Sequence, residues 1–282
     1  MSGRVLRSLL GSRTAAFGLA LTVLLALVAL LAPWAAPYRP DEIHPIDSLL
    51  PPSSRYLLGT DDLGRDILSR IVYGARVSLM VGVIAVGIAA LVGVPLGLIA
   101  GYHVGRLDAL IMRVMDALLA FPAILLAIAL MAVLGPSLQN AMVAIGIIYV
   151  PAFARITRAN VLSVREKEFV EAARALGGGT LYIAALVVLP NCLSPLIVQG
   201  SLGVANAILV EAALSFLGLG VQPPEPSWGS MLAFGRSLLG RAPWYATFPG
   251  LAIFLTVLAL NFLGDGLREA LDPRLATAER AS

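Results

Sequence analysis

The sequence predicts an all-α fold embedded in a membrane, with six crossing helices. Three observations carry this expectation. Hydrophobic residues make up 59% of the 282 positions and charged ones only 13%, against about 25% charged in soluble domains. Mean hydropathy is +0.88. Long stretches free of formal charge recur along the chain, and a bilayer core of about 30 Å needs about 20 apolar helical residues. A net charge of +3 does not point to nucleic acid here, because basic residues in a membrane chain report orientation. The single cysteine, Cys192, excludes an internal disulfide. His44 and His103 stand far apart in sequence and suggest no His-rich metal or catalytic centre.

The first span lies between Arg13 and Arg39, centred on AFGLALTVLLALVALLA. Arg4, Arg7 and Arg13 before it and Ala35-Ala36 after it also suit a secretory signal. Its apolar run exceeds the 7–15 residues typical of such signals, and Pro37 would follow the cut, so a retained helix is expected. A second span falls between Arg76 and Arg106. The charge-free stretch from Asp116 to Arg155 is too long for one crossing, and Gly135-Pro136-Ser137 divides it into spans near 110–134 and 140–158. Phe121-Pro122 should kink the first of these. A fifth span follows Pro190 and Pro195, near 194–218, and a sixth lies between Arg241 and Asp265.

These limits give an N-terminal tail at 1–15, a first helix at 16–36, and a segment on the opposite side at 37–76. A core at 77–266 follows, containing one loop at 160–191 and another at 219–245, then a C-terminal tail at 267–282. Six crossings put both termini on one side. With that side cytoplasmic, thirteen of the 20 basic residues face inward, which favours the N-in, C-in orientation.

The 163–191 segment, SVREKEFVEAARALGGGTLYIAALVVLPN, holds the densest chemistry. Val164, Val170, Ala173 and Leu176 recur near helical spacing. Gly177-Gly178-Gly179 ends that helix, since glycine reaches left-handed backbone at little cost. Thr180 can cap a second helix that Pro190 closes. Ala172 and Ala173 leave little bulk for a closely approaching partner. An amphipathic interfacial helix without a partner explains the same pattern.

This segment resembles the motif of binding-protein-dependent permeases: Glu-Ala-Ala, three residues, Gly, nine residues, then Ile-x-Leu-Pro. The matching positions are Glu171, Ala172, Ala173, Gly177, Leu189 and Pro190, with Val187 in the isoleucine place. The resemblance implies a type I ABC importer permease fold, in which this segment is the helix seated in a groove of an ATPase subunit. LLGTDDLGRDILSRIVYGARVSL, DALIMRVMDALLAFPAILLAIAL, EAALSFLGLGVQPPEPSWGSML and NFLGDGLREALDPR are similar to the dipeptide, oligopeptide and nickel branch, and to its C-type permease. It further implies a second homologous permease, one or two ATPase subunits holding ATP and Mg, and a periplasmic or lipid-anchored solute-binding protein. The expected location is the inner membrane of a bacterial or archaeal cell.

Remaining polar positions admit two readings each. Asp61, Asp62, Arg65, Asp66, Arg70 and Arg76 suit a solvated surface helix or a docking site. Asp116 in span three suits the translocation path or a partner interface, or a pair with Arg113 three residues earlier. Glu211, without a local cation, should face the path or the partner permease. Pro224 and an exposed Trp228 suit contact with the binding protein. No G-x-x-x-x-G-K-[ST] stretch occurs, and the only lysine, Lys167, follows no glycine. Hydrolysis is therefore expected on a partner, with no cofactor on this chain. Two rival classes are a self-sufficient secondary transporter or channel, for which no internal repeat is visible, and a membrane enzyme, for which no nucleophile–base pair is visible.

Overall fold

The computed structural model describes residues 2–271, and all of its regular elements are helical. Residues assigned to the N-terminal tail form helix α1 (Ser2–Gly11), and the first span is α2 (Arg13–Leu30), followed by one short turn, α3 (Ala32–Ala35). The second span, α4 (Ile67–Tyr102), begins ten residues before the expected start at residue 77. Asp66 explains this, because its side chain accepts the Ser69 amide at 2.8 Å and the Ser69 hydroxyl at 2.6 Å, capping the helix early. Residues 272–282, most of the expected C-terminal tail, lie outside the described residues.

Span three is not a single kinked helix. It breaks into α5 (Arg106–Leu119) and α6 (Ala123–Leu134), which meet at 91° around Phe121-Pro122. At about 1.5 Å per residue, α6 alone reaches about 18 Å, short of a bilayer core. Proline at 122 lacks the amide that would continue α5. Spans four and six are α7 (Leu138–Val164) and α12 (Trp244–Leu271). Between α7 and span five lies α8 (Glu168–Ala175).

Span five begins earlier than expected. A short turn, α9 (Thr180–Tyr182), passes into a wide π-type stretch (Ile183–Val188), a tight 3-10 stretch (Leu189–Cys192), and then α10 (Leu193–Phe216). Pro190 therefore does not close a separate helix. It sits where the wide turn narrows, with no amide to give, and the Asn191 side-chain nitrogen donates to the Val187 carbonyl at 2.7 Å. Thr180 supplies no capping bond; extended Gly179 precedes the turn. Helix α11 (Trp228–Arg236) lies in the 219–245 loop.

The main core joins α4, α7 and α10 through Val81, Ala85, Ile145, Phe153, Ala207 and Leu214, with Ala127 and Met131 supplied by α6. Helices α4 and α7 approach to backbone contact. A Cβ added at Gly93 would stand 2.6 Å from the Val150 carbonyl oxygen, one at Gly97 would strike the Ala154 carbonyl, and one at Gly101 would stand 2.8 Å from the Val161 Cβ. Small residues every fourth position let membrane helices pack where no hydrophobic force drives them together.

The segment before α4 is not a solvated helix. Asp61 is fully buried and accepts the amides of Leu63 and Arg65, both at 2.9 Å, and the Arg65 guanidinium at 2.6 Å. Arg65, Asp66 and Arg70 are buried with it, and Arg70 donates to the Pro40 carbonyl at 2.8 Å. Helix α12 completes this knot. Trp244 Nε1 donates to the Thr60 carbonyl at 3.3 Å and the Tyr245 hydroxyl to Asp62 at 3.2 Å. Only Asp62 and Arg76 remain exposed, because burial of the others is compensated by paired charge and backbone amides.

Candidate coupling segment and intramembrane polar sites

The turn after α8 follows from its glycines. Gly177 has φ +84, a conformation that side chains resist. The Gly178 amide donates to the Ala173 carbonyl and the Gly177 amide to the Arg174 carbonyl, both at 3.0 Å. This pair of bonds closes a helix with a Schellman motif. A Cβ at Gly177 would meet nothing within 4 Å, so conformation alone requires glycine there.

Val170 is fully buried and plugs α8 into a small cluster with Val161, Ile183, Val188 and Cys192. Arg165 donates to the Gly101 carbonyl at 3.2 Å and ties the loop's start to the end of α4. With Val170 inward, Glu171 and Ala172 face outward. Ala173 does not join Ala172 on an open small-residue patch; it is half-buried against the Val170 cluster. Leu189 packs against the main core, while Pro190 is exposed. Leu176, expected on the apolar stripe with Val170 and Ala173, is instead 90% exposed because the helix closes just before the glycine turn. Leu181, given no role from sequence, is 80% exposed on the other side of that turn. Two large apolar side chains at the tip of a charged loop were their available signal.

Asp116 pairs with a different arginine from the one expected. Its carboxylate accepts Arg155 of α7 at 2.6 Å, not Arg113 of its own helix. One helical turn further along α7, Arg158 grips Asp108 with two bonds of 2.6 and 2.7 Å. The two pairs form a ladder between α5 and α7. Asp108 is buried, whereas Asp116 and Arg155 are about half exposed. Arg155 and Arg158, three residues apart, were the overlooked partners.

Glu211 does not face a path or a partner. It is fully buried within the chain, where one carboxylate oxygen accepts the Ser215 hydroxyl at 2.7 Å. The Ser215 oxygen in turn accepts the Val221 amide at 3.1 Å. Helices α4, α10 and α11 pack together beside Glu211 through Ala75, Ala212 and Trp228. Close packing seals it, since a Cβ at Gly229 would collide with the backbone of Ala212.

Trp228 is also buried, against the expectation of an exposed contact. Its indole Nε1 donates to the Ile71 carbonyl at 3.0 Å, and its ring lies where Gly74 leaves room. Ser227 and Ser230 cap α11 reciprocally and fix this orientation. Pro224 stays exposed in the preceding loop.

Comparison with known proteins agrees with this architecture. Residues 93–277 match the family model of binding-protein-dependent transport system inner membrane components. Residues 1–52 match the N-terminal transmembrane domain of oligopeptide transport permease C. The di/tripeptide transport system permease of Pseudomonas aeruginosa is 51% identical over 267 residues, covering 93% of this chain and 88% of the relative. The dipeptide transport system permease of Escherichia coli K12 is 50% identical over 270 residues, covering 94% and 90%. Inward-facing structures of the MetNI methionine ABC transporter superpose with TM-scores of 0.60 and 0.61 at 18% identity, covering 72% and 73% of this chain and 96% and 98% of theirs. At that identity they speak for a shared type I fold. The chain belongs to the binding-protein-dependent inner membrane components and is a multi-pass permease component of an ABC importer.

Proposed function

We propose that this chain, with a second homologous permease, forms the path by which short peptides enter the cell, and that residues 163–190 receive the work of ATP hydrolysis. The names of its relatives support peptide as cargo. The observation that carries the coupling role is the build of the loop. Val170 and Arg165 anchor it to α4, α7 and span five, while Leu176, Leu181, Glu171 and Ala172 present an outward face. An apolar tip on an otherwise charged loop fits a groove in a partner. ATP and Mg belong to that partner in this reading, one or two ATPase subunits serve the complex, and a binding protein delivers the solute to the outer face. Closure of two ATPases would draw two such loops together and bias the spans between inward-open and outward-open states.

The test reconstitutes the chain with its partner permease, ATPases and binding protein in liposomes. Dipeptide uptake driven by ATP and solute-stimulated hydrolysis are measured together. Leu176→Asp with Leu181→Asp should abolish uptake and leave solute binding to the binding protein intact. Unchanged uptake in that double variant would remove the loop from the coupling path. Uptake in vesicles lacking any ATPase would replace the importer reading with a gradient-driven one.

A further inference from the structure

Two features mark the α5–α6 break and the turn before it. The first is the break itself. Ala120, Phe121, Pro122 and Ala123 are all exposed, Phe121 at 60%, and the last carbonyls of α5 have no following turn to bond. Interrupted backbone at membrane depth is tolerated only against protein or water. The second is the Asp116–Arg155 pair, one turn before the break, with side chains 56% and 52% exposed. Arg155 stands nine residues, about 14 Å of helix, from the inner end of α7. Charges within a span normally face protein or water rather than lipid. Both features therefore face protein or water rather than lipid.

A cavity of about 380 Å³ opens at this point, lined by Met112, Asp116, Arg155 and Arg158. That lies within the size range of small-molecule sites, about 300–1,000 Å³. Of its charged groups, Arg158 is held by both oxygens of buried Asp108. Asp116 and Arg155 hold each other through a single contact, at an exposed position where an ion pair contributes little. The pair can open at small cost, and it then offers one anion and one cation with no net charge.

We propose that the Asp116–Arg155 pair is a transit site for the two ends of a zwitterionic peptide. Asp116 takes the terminal ammonium and Arg155 the terminal carboxylate. The Arg158–Asp108 clamp keeps the cavity's shape while the outer pair exchanges partners. Met112 supplies an adaptable apolar wall for varied side chains. On release toward the cytoplasm the two residues rejoin, so the site resets without retaining charge. This assignment rests on peptide being the cargo.

The experiment uses the full reconstituted complex and a dipeptide probe with free termini and a benzophenone side chain. Photolysis during turnover should label Met112 or its immediate neighbours. Alanyl-alanine with free termini should compete with the label, and its N-acetylated, C-amidated form should not. Asp116→Asn and Arg155→Gln should each lower labelling about tenfold or more, the size of one lost charge-assisted hydrogen bond. Competition by the blocked peptide equal to that by the free one, measured in the unsubstituted complex, overturns the proposal even if both variants misfold. So does labelling that is indifferent to both substitutions. A complex that imports another solute and no dipeptide fails the functional reading instead; normal dipeptide import without labelling at this cavity fails only the transit site.

Discussion

Replacing Gly177 isolates one physical term, because space plays no part in it. Its backbone has φ +84 and an added Cβ would meet nothing within 4 Å. The cost of a side chain is then conformational, about 1–2 kcal/mol for an ordinary residue in the left-handed region and more for a β-branched one. Asparagine visits that region more readily. Gly177→Asn, Gly177→Ala and Gly177→Val should therefore fall in rising order of damage. A strain of about 1–2 kcal/mol lowers the population of the closed turn about 5- to 30-fold relative to open forms. The spans do not depend on this turn, so membrane insertion and thermal unfolding should barely change. The assay is solute-stimulated ATPase and dipeptide uptake in reconstituted complexes, read beside protease sensitivity of the 168–182 segment. Equal coupling in the asparagine and valine variants would refute the argument that the left-handed turn fixes the handle. So would loss of coupling in all three without added protease sensitivity.

Four further outcomes follow from the geometry. A cysteine at Glu225 should react with an impermeant thiol reagent in intact cells and one at Glu171 should not; the reverse pattern would invert the orientation. Glu211→Ala should leave a buried void beside Ser215 and cost about 2–4 kcal/mol, visible as a lower Tm in detergent, while the isosteric Glu211→Gln should cost clearly less. Gly97→Leu should wedge α4 from α7 at the Ala154 carbonyl and cost about 1–3 kcal/mol or prevent folding, whereas Gly87→Leu, open on its outer side, should be tolerated. Burial, and then the bond to Asp47 at 2.7 Å, push the Tyr56 hydroxyl up to about 12. Its protonated form is favoured by folding, so its contribution is complete below pH 10 and lost as pH rises through about 12. Tyr56→Phe should remove one of several late-titrating groups from the tyrosinate absorbance, the one near pH 12.

The spans were legible because charge-free stretches and Gly-Pro breaks are local signals. The turn after α8 was legible for the same reason: a Schellman closure needs only neighbouring residues, and Gly177 declared it. Pairings across the fold left no such trace. Asp116 had Arg113 three residues away, and nothing in the pattern indicated that α7 would bring Arg155 closer from 39 positions downstream. Glu211 and Trp228 were assigned outward because an acid without a cation and a tryptophan in a proline-rich loop are often functional surfaces. Trp228 finds its partner, Ile71, on α4, 157 positions earlier in sequence. Glu211 is enclosed with Ser215 of its own helix once the fold closes around them. The buried knot around Asp61 was misread for a related reason. Charge density suggests solvent, and only the fold shows carboxylates consumed by backbone amides. In retrospect the Gly93, Gly97, Gly101 spacing could have announced the contact of α4 with α7.

That contact makes a strut of two helices. With carbonyls of α7 lodged against bare Cα positions of α4, neither helix can slide or roll without the other. The inner end of α7 runs straight into the α8 loop, and Arg165 lashes that end to α4. The outer end of α4 is rooted in the Asp61 knot, to which Trp244 and Tyr245 of α12 are also bonded. A displacement of α8 would therefore be carried by α7 and α4 together. It would reach the opposite end of α4, about 54 Å of helix away, as a tilt of the Asp61 knot and of the α12 end that it holds.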